Sequence, residues 1–234
     1  MRLSIIIPVY FEEKNIIKVI ERIRRAVKTP YTIFIVYDTE KDPTCKSVRN
    51  YQKAKTKHNI ILLKNSTGNG KGVMNAIKTG FKNAKGEAVV ITMADLCDDV
   101  AQIDKMFSLV QKGYDIICAS RYMKGGRKIG GPLFKSFLSR MAGLTLHYFY
   151  KVPTHDSTNA FKMYRRKIFK KIKIASTGGF EYSLEIILKA YRLGYSITEI
   201  PTVWKDREAG KSNFKLLGWL PNYIRSYLYV FRKI

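Results

Sequence analysis

Cysteine is scarce in this chain, and the few cysteines form no recognisable pattern. Cys45, Cys97 and Cys118 are the three cysteines among 234 residues, and no two of them make a CxxC pair. Three cysteines cannot all pair with one another, and structural zinc sites need closely spaced ligands. The sequence therefore argues against a disulfide or zinc framework and favours a reducing compartment.

Acidic residues are also few. The chain has 18 Asp and Glu residues against 43 Lys and Arg residues, which gives a formal net charge of +25. The surplus is uneven, because residues 1–120 carry a net charge of +8 and residues 121–234 a net charge of +17. This asymmetry predicts an anionic partner, which is a nucleic acid, a membrane surface or a phosphorylated substrate. A solvated basic surface that serves only solubility is the alternative.

Long apolar segments are missing as well. No uncharged apolar run reaches the roughly 18–20 residues that a membrane-spanning helix needs. The apolar stretch at residues 3–7 is too short for a signal peptide and is followed at once by Pro8. We therefore expect a protein with no transmembrane span that is cytoplasmic, or peripheral on the cytosolic face of a membrane.

The first half of the sequence alternates between two hydrophobic periods. Apolar β-branched runs predict strands, and apolar residues at helical spacing predict the segments between them. The predicted strands are 3–9, 31–37, 60–63, 87–93 and 114–119, and the predicted helices are 13–27, 71–84 and 100–111. This alternation with short connections is typical of an α/β fold with a Rossmann-like, mostly parallel sheet flanked by helices.

The second half is less regular. Residues 180–193 predict a helix and residues 196–203 a strand. Residues 133–150 are apolar and aromatic, and residues 214–231 interleave aromatic residues with lysine and arginine. Such segments are typical of amphipathic helices in a membrane interface. For the C-terminal segment, a helix packed on the core is an equal alternative.

The predicted strand at 87–93 ends in the most informative segment of the chain. Its apolar run is followed by Asp95, Asp98 and Asp99. Open parallel sheets bind ligands at the carboxyl ends of their strands, and clustered carboxylates suit a hard cation beside phosphate oxygens. An acidic loop that caps the next helix is the alternative for this segment alone.

Two other strand ends carry side chains that suit a nucleotide. After the first strand, Tyr10 offers a ring on which a base can stack, and Glu12 offers an acceptor for base or ribose donors. After the second strand, Asp38 and Asp42 lie in a loop that is well placed for ribose hydroxyls. Each loop taken alone also suits a plain turn or a helix cap.

A glycine-rich turn at residues 68–72 precedes the predicted helix 71–84 and contains Gly70 and Lys71. Flexible backbone at a helix N-terminus suits phosphate binding. The turn is not a P-loop, because the pattern GxxxxGK[ST] is absent. A glycine turn that binds no ligand is the alternative.

Together, the order of these segments resembles family 2 of the glycosyltransferases, which have the GT-A fold. Segments in the second half resemble polyprenyl-phosphate glycosyltransferases, and the last of them is similar to a signature of the dolichyl-phosphate mannosyltransferases. These segments are SRY at 120–122, GG at 125–126, SR at 139–140, DSTNAFK at 156–162, GFEY at 179–182, EIP at 199–201 and DREAGKS at 206–212. The resemblance implies a glycosyltransferase domain at 1–212 and an amphipathic helical tail at 213–234.

The resemblance also implies roles for matching residues. The implied cofactor-binding residues, which hold the donor nucleotide and its phosphates, are Pro8, Tyr10, Glu12, Asp38, Gly70 and Lys71. The implied phosphate-binding residues of donor and acceptor are Arg121, Arg140, Arg207, Lys211 and Ser212. Arginine and lysine suit such a role as a planar fork and a movable point charge. The resemblance also implies that Asp95 binds the metal. The residues it implies to be catalytic are Asp95, Arg121 and Arg207.

Two positions depart from the family pattern. The family usually has Asp-x-Asp at the metal site, and here Met93 stands at the first position. A thioether is too soft to replace a carboxylate for Mg²⁺ or Mn²⁺, so Asp98 or Asp99 is expected to compensate, or the donor diphosphate holds most of the metal. Tyr37 also precedes Asp38, where the family often has a second aspartate.

The function implied is an inverting transfer of a sugar, mannose or glucose, from a nucleotide-diphosphate sugar to a polyprenyl phosphate, dolichyl or undecaprenyl, at an anionic membrane surface. The acceptor is already largely anionic, because the second pKa of a phosphate monoester is about 6. One alternative is a glycan hydroxyl acceptor in cell-surface polysaccharide synthesis, with Glu181 or Asp156 as general base. A second alternative is a protein that binds a nucleotide sugar without catalysis, because Met93 replaces an expected metal ligand. No nucleic acid is expected as a partner, since the sequence has no recognised motif of a nucleic-acid-binding module.

Overall fold

The computed structural model describes residues 2–54, 59–207 and 216–231, and the elements below lie within them. The strands are β1 (Leu3–Val9), β2 (Tyr31–Tyr37), β3 (Ile60–Lys64), β4 (Ala88–Ile91), β5 (Ile116–Ser120), β6 (Arg127–Ile129), β7 (Lys162–Arg165), β8 (Ile197–Pro201) and β9 (Val203–Lys205). The helices are α1 (Ile16–Ala26), α2 (Pro43–Ala54), α3 (Val73–Asn83), α4 (Ile103–Gln111), α5 (Leu133–Tyr150), α6 (Tyr182–Arg192) and α7 (Leu216–Tyr227). Short 3₁₀ helices occupy Val100–Gln102, Arg166–Lys170 and Leu228–Phe231.

Seven of the described strands form one sheet in the order β3-β2-β1-β4-β7-β5-β8. Every neighbouring pair is parallel except those of β7, which runs antiparallel to both β4 and β5. The predicted mostly parallel sheet is thus confirmed. Because β1, β2, β3 and β4 run in the same direction, their carboxyl ends meet at one edge, where the predicted site residues lie.

Two hydrophobic clusters cover the two faces of the sheet. Successive residues of β1 point to opposite faces, so that Ile5 and Ile7 belong to one cluster and Ile6 to the other. The first cluster joins the sheet to α1 and α4, and the second joins it to α3 and α6. The sheet is therefore buried on both sides, as the continuous apolar runs of its strands predict.

The first strand has its predicted bounds, Leu3–Val9, and continues through Pro8. Two other predicted strand ends were wrong for local reasons. The strand predicted to end at Met93 ends at Ile91, because the Thr92 hydroxyl and the Met93 amide donate to the Asp98 carboxylate. The strand predicted over 196–203 ends at Pro201, and β9 then pairs with β6 in a separate sheet.

Several elements were not predicted from the sequence, among them α2, β7 and β6. Helix α2 begins with Pro43, a favourable residue in the first turn, but it carries few apolar residues and its hydrophobic period is weak. Strand β7 contains Lys162, whose burial in the centre of the sheet its sequence gives no reason to expect. Strand β6 has three residues, and it forms only by pairing with β9.

Helix α5 has the bounds that the sequence predicts, and its two faces differ sharply. Gly143 and Leu146 are buried. A Cβ added to Gly143 would lie 2.1 Å from the His155 carbonyl oxygen, so the helix approaches the 154–156 loop as only a glycine permits. On the opposite face, Leu133 and Phe149 are 87% and 77% exposed. The helix is thus amphipathic, with a solvent-facing apolar side.

Helix α7 packs beside α6 and α5. Tyr223 packs against the second core cluster, and the Tyr227 hydroxyl lies 2.8 Å from the hydroxyl of Thr145 in α5. Ile224 and Leu228 are exposed. The predicted domain boundary at 212/213 lies outside the described residues and stays a prediction. None of the helices in the described ranges has the length and apolarity to cross a membrane.

Candidate active site

The loop after β4 is held in shape by two of its three aspartates, Asp95 and Asp98. Asp98 Oδ2 accepts hydrogen bonds from the Thr92 hydroxyl at 2.9 Å and from the Met93 amide at 3.2 Å. Asp95 Oδ1 accepts one from the Cys97 amide at 3.1 Å. These bonds turn the chain sharply out of the strand and hold both carboxylates at the edge of the sheet.

Asp95 and Asp98 interact electrostatically. Burial raises the pKa of Asp98 to about 7, the negative charge of Asp95 adds to the shift, and the donors at Thr92 and Met93 oppose it. Burial and the same Asp95 charge also raise the pKa of the Cys97 thiol, which keeps it neutral. The two carboxylates therefore repel each other.

Arg207 supplies positive charge from the far end of the sequence. Its Nη2 lies 3.1 Å from Asp95 Oδ2, and the side chains are 23% and 14% exposed. Strand β9 brings it there, since the Lys205 amide donates to the Cys97 carbonyl oxygen and the Asp206 amide to that of Ile129. The tertiary structure thus joins two residues of the predicted site that are 112 positions apart.

The loop after β1 contributes to the same electrostatic field. Burial raises the pKa of Glu12, a hydrogen bond from Asn15 and the charge of Arg207 oppose the shift, and the charge of Asp95 adds to it. The Asn15 amide donates to Glu12 Oε2 at 3.0 Å. Glu12, Asp95 and Arg207 are therefore brought together at one edge of the sheet, as the resemblance implies.

The neighbours of Glu12 differ in their exposure. Tyr10 is 56% exposed and is free to offer its ring to a ligand. Pro8 is buried within β1, paired in register with Val36. Phe11 adopts a positive φ of 56°, and its amide donates to Asp42 Oδ2 at 2.9 Å. Asp42 therefore fixes the shape of this loop.

Asp38 is the anchor of the glycine-rich turn. Its Oδ1 accepts from the Asn65 side chain at 2.9 Å and its Oδ2 from the Gly72 amide at 2.8 Å. Gly70 has a φ of +70°, and Lys71 is exposed at the turn's surface. Asp38 thus links Asn65, at the end of β3, to the glycine-rich turn at the start of α3, beside the nucleotide pocket that the resemblance implies.

Asn65 was missed in the sequence, although the same signal could have found it. It is a buried polar residue directly after β3, and its side-chain oxygen accepts from the Thr79 hydroxyl at 3.0 Å and from the Thr67 amide at 3.3 Å. It therefore ties β3, α3 and Asp38 together. Its place at a strand end is the feature that singled out Asp38 and Asp95.

Arg121 is held in a buried ion pair. Its Nε and Nη2 donate to the two carboxylate oxygens of Asp156 at 2.7 and 2.9 Å, and the side chains are 11% and 0% exposed. The guanidinium also lies 5.0 Å from the centre of the Tyr122 ring. Two of its nitrogens thus donate to Asp156, and this bidentate hydrogen bonding fixes the orientation of the guanidinium.

Other basic residues surround Arg121. Arg140 on α5 is exposed, and burial raises the pKa of Tyr122 while the charges of Arg121 and Arg140 oppose the shift. Burial and the charge of Arg121 lower the pKa of Lys128, whose ammonium lies 5.1 Å from the Trp204 ring. No sequence signal marked Lys128, because β6 acquires its place only by pairing with β9. Lys211 and Ser212 lie outside the described residues.

The donor set after β4 suits a hard divalent cation that is shared with a substrate. No group of three or more Asp, Glu, His or Cys residues that could hold a metal occurs in the described part of the chain. Asp95 and Asp98 nevertheless offer two mutually repelling carboxylates, and Mg²⁺ commonly binds through one or two carboxylates together with substrate phosphates and water. The residues therefore fit a metal that arrives with a phosphorylated ligand.

Comparison with known sequences decides the family. The family described as "Glycosyl transferase family 2" matches residues 4–173. The chain belongs to this family. The match covers β1 to β7 and includes both loops that carry Glu12 and Asp95.

Curated relatives extend the similarity over most of the chain. The dolichol-phosphate mannosyltransferase of Pyrococcus furiosus is 28% identical over 221 residues, which are 92% of this chain and 60% of the relative. The polyprenol monophosphomannose synthase of Mycolicibacterium smegmatis is 26% identical over 215 residues, 90% of this chain and 80% of the relative. The chain thus spans less than two thirds of the Pyrococcus relative.

Solved structures establish the fold of this family 2 member. The glucosyl-3-phosphoglycerate synthase of Mycobacterium tuberculosis, crystallised with Mn²⁺, UDP-glucose and phosphoglyceric acid, superposes with a TM-score of 0.72 at 14% identity. The superposition covers 100% of this chain and 81% of that one. The predicted GT-A fold is confirmed.

Proposed function

We propose that this protein is an inverting glycosyltransferase that moves a hexose from a nucleotide-diphosphate sugar to a polyprenyl phosphate. The observation that carries the proposal is the Asp95–Arg207 pair, 3.1 Å apart at the end of β4 and in the field of Glu12. It combines a carboxylate suited to a metal with a guanidinium suited to phosphate oxygens. The relatives named for dolichol-phosphate and polyprenol substrates support a lipid-phosphate acceptor.

The surroundings of the candidate general bases favour an acceptor that is already anionic. Asp156 accepts from Arg121 with both oxygens, and Glu181 accepts from the Gly178 and Gly179 amides at 2.9 and 2.7 Å. Neither carboxylate is available to take a proton from a sugar hydroxyl. A phosphate monoester needs little deprotonation, since its second pKa is about 6. A glycan hydroxyl acceptor is therefore the weaker alternative.

The work of the site is then electrostatic. Asp95, with Asp98 beside it, would hold Mg²⁺ or Mn²⁺, and that cation would neutralise charge on the leaving diphosphate. Arg207 is paired with Asp95 at this proposed metal site. Arg121 and Arg140 add positive charge around Tyr122, next to α5. These arginines would keep a diphosphate and an acceptor phosphate close together in spite of their mutual repulsion. Sugar identity, mannose or glucose, and the base of the donor are part of the proposal to be tested.

The proposed transfer is tested directly with purified protein, a detergent-solubilised polyprenyl phosphate and a panel of UDP- and GDP-linked hexoses with Mn²⁺ or Mg²⁺. We expect radiolabelled sugar to enter the lipid fraction from one of these donors. Stereochemical analysis of the product should show an inverted anomeric centre. Transfer only to a glycan acceptor, or nucleotide binding with no turnover at any metal concentration, would contradict the proposal.

We propose a peripheral position on the cytosolic face of an anionic membrane surface, and the apolar side of α5 supports the membrane contact. The exposed apolar residues share one helical face: Leu133, Phe134, Phe137, Met141, Tyr148 and Phe149. Lysine and arginine side chains on the same helix, and the net charge of +17 over residues 121–234, would attract anionic headgroups. An exposed apolar side of this kind is typical of interfacial helices.

Replacing Phe134 and Phe137 together by serine is expected to weaken binding to anionic liposomes by at least about tenfold, since two aromatic side chains no longer enter the interface. Vesicle flotation at moderate salt measures the bound fraction. The matched control is Ile61→Ser, which alters an exposed apolar side chain on β3 and should leave binding unchanged. Equal flotation of all three proteins, or no flotation of the unaltered protein, would count against the α5 surface.

A further inference from the structure

Both carboxylate oxygens of Asp95 are engaged in the ligand-free protein. Oδ1 accepts from the Cys97 amide at 3.1 Å, and Oδ2 is paired with the Arg207 guanidinium at 3.1 Å. Asp98 in the same loop uses its Oδ2 to accept from Thr92 and Met93. A cation that arrives alone therefore meets a carboxylate that already has a counter-ion.

Displacing that counter-ion costs free energy unless the guanidinium gains another partner. The Asp95–Arg207 contact is a charge-assisted hydrogen bond between side chains that are only 14% and 23% exposed, so it is stronger than a surface ion pair. A divalent cation and a guanidinium at the same oxygen also repel each other. A diphosphate removes both obstacles, because it offers oxygens to Arg207 and to the cation at once.

We propose that Arg207 is the counter-ion of Asp95 in the ligand-free protein and occupies the place of the metal. Metal binding therefore depends on the donor diphosphate. In the ligand-free protein, Arg207 occupies the position at Asp95 Oδ2 and keeps its affinity for divalent cations low. When a nucleoside diphosphate binds, Arg207 moves to its phosphate oxygens and Asp95 becomes available to the metal. This coupling rests on the proposed function, since it assumes that the site binds a nucleoside diphosphate.

The coupling has a reciprocal consequence. If a nucleoside diphosphate raises the affinity for Mn²⁺ by some factor, Mn²⁺ must raise the affinity for the nucleoside diphosphate by the same factor. Couplings of this kind typically span about 5- to 150-fold. Met93 stands where the family usually has a second carboxylate, so Asp95 lacks that partner when a cation binds alone. The dependence of metal binding on the nucleotide is therefore stronger.

Arg207→Gln tests this coupling through metal binding, without any need for turnover. The electron paramagnetic resonance signal of free Mn²⁺ gives the affinity of the protein for Mn²⁺ alone, and again with saturating GDP or UDP. We expect the variant to bind Mn²⁺ alone about tenfold more tightly than the unaltered protein, and the gain in Mn²⁺ affinity on adding nucleotide to shrink by a similar factor. Arg207→Lys, which keeps the charge, should bind Mn²⁺ alone more weakly than Arg207→Gln.

The matched control is Arg22→Gln. Arg22 on α1 is exposed and donates to the Leu96 carbonyl oxygen at 3.1 Å, so the change removes one positive charge that contacts the same loop but leaves Asp95 and its pair intact. Its Mn²⁺ affinity should match that of the unaltered protein. If Arg207→Gln binds Mn²⁺ no more tightly than Arg22→Gln while the unaltered protein binds GDP or UDP, the coupling is wrong and the proposed function stands. If the unaltered protein binds neither nucleotide, the proposed function itself fails.

Discussion

Asp95→Asn is expected to lower the rate of sugar transfer by at least about a hundredfold, because removal of one preorganised electrostatic contact in an active site typically costs 10²–10³ in rate. The amide keeps an oxygen that can accept from the Cys97 amide, but it brings no negative charge to a metal or to Arg207. Initial rates with saturating donor, polyprenyl phosphate and Mn²⁺ measure the effect. The midpoint of thermal unfolding should change far less than the rate, since asparagine keeps the acceptor for the Cys97 amide that shapes the loop.

A matched control separates the role of Asp95 from that of acidic charge in the loop. Asp99→Asn changes the neighbouring aspartate, whose Oδ1 accepts from the Ala101 amide and Oδ2 from the Gln102 side chain at the start of a 3₁₀ helix, which leaves Asp98 as the proposed partner of Asp95. Asparagine caps helices about as well as aspartate, so the fold and the rate should both be retained. A rate for Asp95→Asn within a few-fold of that for Asp99→Asn would remove Asp95 from the proposed metal site.

Asp156→Ala is expected to lower the free energy of unfolding by about 3–5 kcal/mol, which is the usual cost of breaking a buried ion pair by removing one partner. The guanidinium of Arg121 would keep its place, only 11% exposed, with no carboxylate to neutralise it. The Asn159 amide, which donates to Asp156 Oδ1 at 3.2 Å, would lose its acceptor too. Urea unfolding at neutral pH, followed by circular dichroism, measures the change.

The pH dependence of the same variant adds a second readout. Burial alone would raise the pKa of Asp156, but the charge and hydrogen bonds of Arg121 outweigh it and hold that pKa below its usual range. A lowered pKa in the folded state stabilises the protein above the unfolded-state pKa of about 3.9, and this stabilisation is lost as the pH falls through the folded-state value. The stability difference between the two proteins should therefore shrink below about pH 4.

The exposed ion pair of Arg49 with Glu40 gives the control for this prediction. The pair has a distance of 2.8 Å, but both side chains are 51% exposed, and such pairs contribute little because water screens them. Arg49→Ala should change the free energy of unfolding far less than Asp156→Ala does. Equal effects of the two variants would mean that the Arg121–Asp156 pair is not a buried anchor of the site.

Where the sequence predicts the fold correctly, a local hydrophobic period carries the information. Strand β2 has the predicted bounds, Tyr31–Tyr37, because an apolar β-branched run between turn residues has few other ways to be buried. Helix α5 has the predicted bounds, Leu133–Tyr150, for a similar reason. The period fails for β7, where Lys162 is buried because its ammonium donates to the Ser157 carbonyl oxygen at 3.1 Å and to the Ser183 hydroxyl at 2.6 Å. Ser183 lies in α6, 21 residues away, and no local hydrophobic period contains that partner.

The same division applies to the site. By itself the sequence determined the family, the sheet with its polar strand ends, and the candidate residues Glu12, Asp38 and Asp95, because each of these follows directly from the residues beside it. Only the tertiary structure decided that Arg207 pairs with Asp95, 112 residues away, and that Arg121 is held by Asp156. Arg207 follows β9 and Arg121 follows β5, so each pair forms only where the folded chain places the end of that strand. A local sequence pattern does not contain the distance between residues so far apart.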